Sequence, residues 1–215
     1  MQLRVYVKDH PLIRHWLTVA RDRQTPPPLF RAALVELGRW LSYEALRDRL
    51  PLLEVAIDTP LAPTTGQVIS PQTPWAIVPV LRAGLALLEG MQTLMPGAAI
   101  YHVGLVRDET TLQPSLYLNR LPARLAPETC ILVAEPMLAT GGTLLAVLDL
   151  LAERGADMAR VQVINVLCTP PALRQVGERY PALQIYSAFI DETVTDQGWI
   201  VPGLGDAGDR AFGTV

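Results

Sequence analysis

Thr140-Gly141-Gly142-Thr143 follows the apolar run Cys130–Ala134 and opens a helical pattern from Gly142 to Arg154. At such a junction the free backbone N–H groups of the first helical turn point outward, and the helix dipole favours an anion. Glycine lets the backbone curl around a phosphate, and the two threonines add hydroxyl donors. Taken alone, the four residues suit an ordinary tight turn with a threonine cap equally well. They form neither a Walker A loop nor a Rossmann fingerprint, lacking the Gly-Lys-Thr ending of the first and the spacing of the second. A second junction, Val78-Pro79-Val80-Leu81-Arg82-Ala83-Gly84-Leu85, sets Arg82 among small residues. A guanidinium and nearby backbone N–H groups at such a turn can meet a diphosphate, although an isolated arginine there reads as a surface residue. The third segment, Gly198 to Gly213, holds five glycines, a proline and two aspartates. Its Ile200, Val201, Leu204 and Phe212 are apolar anchors, which argues against a loose tail. The glycine content predicts no regular helix there.

These segments need elements to position them. Apolar spacing predicts a helix over His10 to Val19. Thr25-Pro26-Pro27-Pro28 reads as a helix start with Thr25 as N-cap, followed by the stripe Leu29, Phe30, Ala33, Leu34, Leu37 and Leu41. Short apolar alternations among prolines and glycines predict an edge hairpin, Leu53 to Ile57 and Gly66 to Ile69. From Trp75 the pattern is strand, loop, helix, repeated. Strands are expected at Trp75–Val80, Ala98–Val106, Cys130–Ala134, Val161–Leu167 and Gln184–Ile190. Helices are expected at Ala83–Met95, Gly142–Arg154 and Pro170–Glu178, with Gly155 closing the second. Arg107 to Pro122 is a long polar stretch, read as an arm or hairpin. Near-continuous apolar strands alternating with helices predict an α/β fold, a mostly parallel sheet with helices on both faces. Ligands bind such sheets beyond the carboxyl ends of the strands, where the polar and glycine-rich segments fall. The chain of 215 residues reads as one domain. Residues 1–74 are N-terminal helices and a hairpin, 75–190 the core, and 191–215 the tail.

The formal net charge is −3 and 18% of residues are charged. That balance disfavours a long polyanion as partner, so no nucleic acid is expected, but it suits a small anion held by local donors. Cys130 and Cys168 sit in apolar runs and read as buried thiols. No apolar stretch reaches the roughly 18 residues of a membrane span, and the alternating first ten residues do not form a signal peptide. The expectation is a cytoplasmic protein with no membrane partner. Lys8 is the only lysine among 18 basic residues, a bias that either thermal adaptation or genome composition would produce. His15 and His102 have no motif around them and read as ordinary structural or surface residues.

The whole segment from Ile131 to Thr143, an apolar strand, an acidic residue and then Thr-Gly-Gly-Thr, resembles the motif by which type I phosphoribosyltransferases bind 5-phosphoribosyl 1-diphosphate (PRPP). The form Pro136-Met137-Leu138-Ala139-Thr140-Gly141-Gly142 resembles the uracil branch. The resemblance implies that Glu135 meets the ribose hydroxyls and that Thr140, Gly141, Gly142 and Thr143 cradle the 5′-phosphate, with Pro136, Met137, Leu138 and Ala139 in the same PRPP-binding run. The family usually carries aspartate at the head of this loop; Glu135 keeps the charge and extends the carboxylate by one methylene. Leu81-Arg82-Ala83-Gly84 resembles the family's pyrophosphate loop. Arg107-Asp108-Glu109-Thr110 through Pro114 resembles the start of its flexible arm, which implies that Arg107 also binds pyrophosphate. The tail resembles the family's uracil-binding signature, with Trp199 where tyrosine is usual. It implies that Ile200 and the backbone of Gly205, Asp206 and Ala207 bind uracil, while Asp206 also faces PRPP and its Mg²⁺. Weaker likeness at His10–Ile13 and Leu41–Ala45 extends the resemblance over nearly the whole chain.

The implied chemistry is displacement at ribose C1. Arg82, Arg107 and Asp206 are its catalytic candidates, and Mg²⁺ is held mainly by diphosphate and water rather than by a protein cage. The implied partners are uracil, PRPP, a GTP effector as in some relatives, and further copies of the chain in a homodimer or higher homo-oligomer. A different class remains open on the same fold, a nucleotide-sensing or RNA-binding regulator with weak or no transferase activity. The negative charge and the tail favour the enzyme. Orotate or a modified uracil is the alternative base.

Overall fold

The computed structural model describes residues 2–107 and 114–214. In chain order the elements are β1 (Arg4–Val7), α1 (Pro11–Arg21), α2 (Pro27–Leu46), β2 (Leu52–Asp58), β3 (Pro63–Ile69), β4 (Trp75–Leu81), α3 (Gly84–Leu94), β5 (Ala99–Ile100), β6 (Val103–Arg107), β7 (Pro114–Asn119), β8 (Cys130–Ala134), β9 (Met137–Leu138), α4 (Gly142–Glu153), β10 (Val161–Cys168), α5 (Pro170–Arg179), β11 (Gln184–Ile190), β12 (Thr193–Val194), β13 (Ile200–Val201) and α6 (Ala207–Phe212).

The main sheet runs β1-β11-β10-β8-β4-β6-β7, with β5 beside β4 and β9 beside β10. Every pairing in it is parallel except β6 with β7. The central strands are buried on both sides because side chains alternate between two helical layers. Ile77, Leu132 and Ile164 face α1, α2 and α3. Val78, Val133 and Val163 face α4 and α5. The predicted parallel sheet with helices on both faces is the fold observed.

Several expectations need correcting. The N-cap of α2 is Pro26, with no side-chain cap; the Thr25 hydroxyl instead donates to the Val19 carbonyl at 2.7 Å. The proline-fixed φ at the start of the helix makes a hydroxyl cap dispensable. The strand expected over Ala98–Val106 is broken between Ile100 and Val103. There, Tyr101 donates its N–H back to Ile77 and the chain re-enters pairing with β4 two residues later. The hairpin β2–β3 is not an edge of the main sheet: its strands pair only with each other. Two elements lacked a strong sequence signal. β1 is only four residues long, and α6 forms inside the glycine-rich tail, where the Asp206 carboxylate accepts from the Asp209 N–H at 2.8 Å and Gly213 ends it in the left-handed region. Both cysteines are buried and outside any disulfide. Burial pushes the Cys168 thiol up to about 11, which keeps it protonated and inert.

Candidate active site

A cleft of about 850 Å³ opens beyond the carboxyl ends of β4, β6 and β8, the place the parallel topology predicts. Three separate segments meet there.

The turn after β4 supplies Leu81, Arg82 and Ala83. The Leu81–Arg82 peptide bond is cis. The Arg82 guanidinium donates to Asp209 Oδ1 at 2.7 Å and to the Thr214 hydroxyl at 3.2 Å. The Thr214 hydroxyl, and secondly Arg82, hold the Asp209 carboxyl below the usual carboxylate range. The first basic residue of the cleft is therefore tied to the end of the tail.

The turn after β8 supplies Glu135, Met137, Ala139 and Thr143 to the cleft wall. Glu135 is 7% exposed. Pro136 and Leu138 do not line the cleft. Leu138 is in the core, and the Pro136 carbonyl accepts from the Val166 and Leu167 N–H groups. Thr140, Gly141 and Gly142 sit where the turn becomes α4, with Gly141 as N-cap at φ 95°. That φ suits glycine, and a side chain there would also press on the Ala172 carbonyl at 3.3 Å. Asn165, in the middle of β10 and fully buried, holds the head of this turn. Its amide donates to the carbonyls of Glu135 at 2.9 Å and Pro136 at 3.1 Å, and its Oδ1 accepts from Ser187 at 2.8 Å.

The tail closes the third side with Gln197, Trp199, Ile200, Gly205, Asp206 and Ala207. After β13 it turns back through a cis Val201–Pro202 bond and Gly203 at φ 60°. Arg210 staples this turn: its guanidinium donates to the carbonyls of Ala20, Leu204 and Asp22 and stacks over the Phe30 ring at 4.2 Å. Leu105, Val106 and Tyr117, from β6 and β7, border the cleft on the remaining side.

The structure thus brings Arg82, Glu135, Met137, Ala139, Thr143, Ile200, Gly205, Asp206 and Ala207 to one cavity. Arg107 ends β6; its side chain, together with Asp108 to Gln113, lies outside the described residues. Sequence reasoning missed Asn165, Tyr117 and Gln197. An amide in the middle of the apolar run Val161–Cys168 was the available signal for Asn165, because a buried polar group needs partners. Among the described residues, no cluster of three or more His, Cys, Asp or Glu side chains could hold a metal.

This mostly parallel sheet, with helices on both faces and a glycine-rich turn opening α4 at its carboxyl edge, is the fold of the type I phosphoribosyltransferases among its structural neighbours. The adenine phosphoribosyltransferase of Giardia lamblia, solved with 9-deazaadenine, shares it at a TM-score of 0.51 and 15% identity, covering 75% of this chain and 81% of that one, a likeness of fold alone. The AQ2163 protein of Aquifex aeolicus superposes with a TM-score of 0.88 at 35% identity, covering 97% of each chain. The chain belongs to the uracil phosphoribosyltransferase family, whose profile matches residues 7–214. The uracil phosphoribosyltransferase of Synechocystis is 59% identical over 213 residues, 99% of each chain. Family membership favours the enzyme over the regulator.

Proposed function

We propose that this protein joins free uracil to PRPP to give UMP and diphosphate, a pyrimidine salvage reaction. The observation that carries the reading is convergence: the Arg82 turn, the Glu135–Thr143 turn and the Gly205–Ala207 tail, far apart in sequence, face one cleft.

In this reading the N-terminus of α4 and the hydroxyls of Thr140 and Thr143 take the 5′-phosphate, and Glu135 accepts hydrogen bonds from the ribose hydroxyls. Uracil offers an acceptor, a donor and an acceptor along one edge. The folded-back backbone at Gly205–Ala207, beside Ile200, presents the complement. Cytosine carries a donor at position 4 and leaves buried groups unpaired, so rejection by about 10⁴-fold is expected. The bond from ribose C1 to the diphosphate oxygen breaks, the bond from uracil N1 to C1 forms, and the N1 proton is released. The chain's part is to align N1 with C1, meet the leaving charge with Arg82 and Arg107, and exclude water. Diphosphate must displace Asp209 from Arg82. Since the Arg82 side chain is 53% exposed, that ion pair is weak and the exchange is cheap.

Asp206 and Glu135 put carboxylates on the cleft without forming a cage. This donor set fits Mg²⁺ held chiefly by diphosphate and water, with Asp206 orienting it. When bound, the ion neutralises diphosphate charge. The exposed apolar side chains of the hairpin, Leu53, Ile57, Leu61 and Val68 among them, support a second copy of the chain as partner. GTP enters as an effector on family resemblance alone. A cytoplasmic location belongs to this reading as an expectation from the sequence; no helix of the described residues is long and apolar enough to cross a membrane.

The test is UMP formation from uracil, PRPP and Mg²⁺, with orotate and cytosine in parallel and GTP added in a second series. UMP from uracil, with no orotidine or cytidine monophosphate from the other two bases, is the expected result; no UMP under any condition overturns the reading. Thermal shifts with uracil, orotate and a short RNA separate the alternatives, since a true ligand stabilises by mass action.

A further inference from the structure

Gly203 lies two residues before the segment that faces the cleft, and both of its backbone polar groups are held by one ion pair from outside the cleft. Its N–H donates to Asp191 Oδ2 at 3.1 Å. Its carbonyl accepts from Arg21 Nη1 at 2.8 Å. Arg21 also grips Asp191 with two hydrogen bonds, 2.9 and 2.7 Å. The Asp191 carboxylate is 1% exposed and the Arg21 side chain 23%. The guanidinium stacks over Phe189 at 5.3 Å, and the Asp191 N–H donates to the Cys168 carbonyl at 2.9 Å. Neither side chain lines the cleft.

We propose that Arg21 and Asp191 are positioning residues for base recognition. Arg21 ends α1 and Asp191 follows β11 directly, so the pair ties the tail to two rigid elements. A planar fork on a carboxylate fixes direction as well as distance. With Gly203 pinned on both sides, the peptides of Gly205 to Ala207 keep one orientation toward the cleft. Without the pin the tail samples other orientations, and the apparent affinity for the base falls by the fraction that remains competent. The PRPP side of the cleft is built mainly on β4 and β8; only Asp206 joins it from the tail, through Mg²⁺ that diphosphate and water hold for the most part, so the pair bears far less on PRPP than on the base. This inference rests on the reading that the tail takes uracil.

The experiment compares wild type with Asp191→Asn, Arg21→Met and Arg21→Lys, and with Gln162→Ala as a control. Gln162 is buried and bonds to Ala45 and Gln184, away from the cleft, so its loss reports general destabilisation. Asp191→Asn and Arg21→Met are expected to raise the KM for uracil about tenfold while the KM for PRPP stays within about twofold. Arg21→Lys keeps the charge without the fork and falls between wild type and Arg21→Met. It carries the comparison if Asp191→Asn does not fold. Gln162→Ala lowers the Tm and leaves both KM values alone. Equal shifts in both KM values, or a uracil KM that does not move, overturn the proposal. Hydrogen exchange at the amides of Leu204 to Ala207 gives a readout independent of activity. Faster exchange in Arg21→Met supports the pin even if the wild type makes no UMP, a result that sinks the proposed function instead. Unchanged exchange overturns the pin.

Discussion

Glu135 combines a carboxylate, deep burial and a place on the cleft wall. Replacing it with glutamine removes the charge and keeps the shape. If it meets the ribose hydroxyls, Glu135→Gln raises the KM for PRPP about tenfold or more and leaves the KM for uracil nearly unchanged, because a charge-assisted hydrogen bond is lost on one substrate only. Initial-rate kinetics at varied PRPP decide this, and Glu135→Asp in the same series measures the effect of the extra methylene. Asp209 makes a pH prediction. Its carboxyl is held below the usual range by Thr214 and then Arg82, so the bonded form is favoured above the ordinary aspartate pKa and is lost only as pH falls through the lower folded value. A carbon-13 titration of the carboxyl should find a midpoint below that of a free aspartate, returning toward it in Thr214→Val. At this scale the sequence was legible as placement where chemistry and motif coincide: Arg82, Glu135 and Asp206, singled out from the sequence, line one cleft. It was not legible at Arg21 and Asp191. A salt bridge across 170 positions leaves no local signature, since each partner alone reads as a charge at the end of an element.

The turn after β8 shows how an element carries a site. Gly141 holds φ 95° where α4 begins. Gly141→Ala is expected to cost about 1–2 kcal/mol in stability and to weaken PRPP binding, because the first-turn N–H groups are re-aimed. Thermal unfolding and the KM for PRPP measure the two effects. Asn165 supports the same turn from beneath. Asn165→Ala strips the bonds to Glu135 and Pro136 and is expected to cost about 2 kcal/mol, roughly 4–8 °C in Tm for a chain of this size. The central strands could be read from the sequence because a strand covered on both faces is a continuous apolar run. The exceptions have physical causes. A helix of six residues like α6 has no room for a periodic stripe and depends on the Asp206 cap and on Arg210 bonding to distant carbonyls. The break at Tyr101–His102 is invisible because both residues tolerate extended backbone, and only the pairing with β4 shows where the ladder stops.

At the scale of the molecule, topology was legible and partners were not. Alternation of strand and helix was enough to expect a parallel sheet with its cleft at the carboxyl edge, whereas nothing in the sequence says what packs on the hairpin, whose strands pair with each other among the described residues. Leu53 and Val68 face each other across β2 and β3, both 44% exposed. Changing them together to lysine and glutamate keeps a favourable cross-strand pair and removes the apolar surface. If the hairpin joins two copies, light scattering will report a smaller species than wild type. The opposite end of the main sheet carries a different consequence. β11 reads Gln-Ile-Tyr-Ser-Ala-Phe-Ile without a charge, and its outer side is covered by β1 alone, Arg4 to Val7 against Gln184 to Ser187. A bare strand of that composition is a template on which further strands can add, the start of aggregation. The covering strand is short, begins with Arg4 and is followed by Lys8, whose charges make a poor template of the new edge. β1, which lines no part of the cleft, is thus placed to act as a stopper that keeps the sheet from growing into its neighbours.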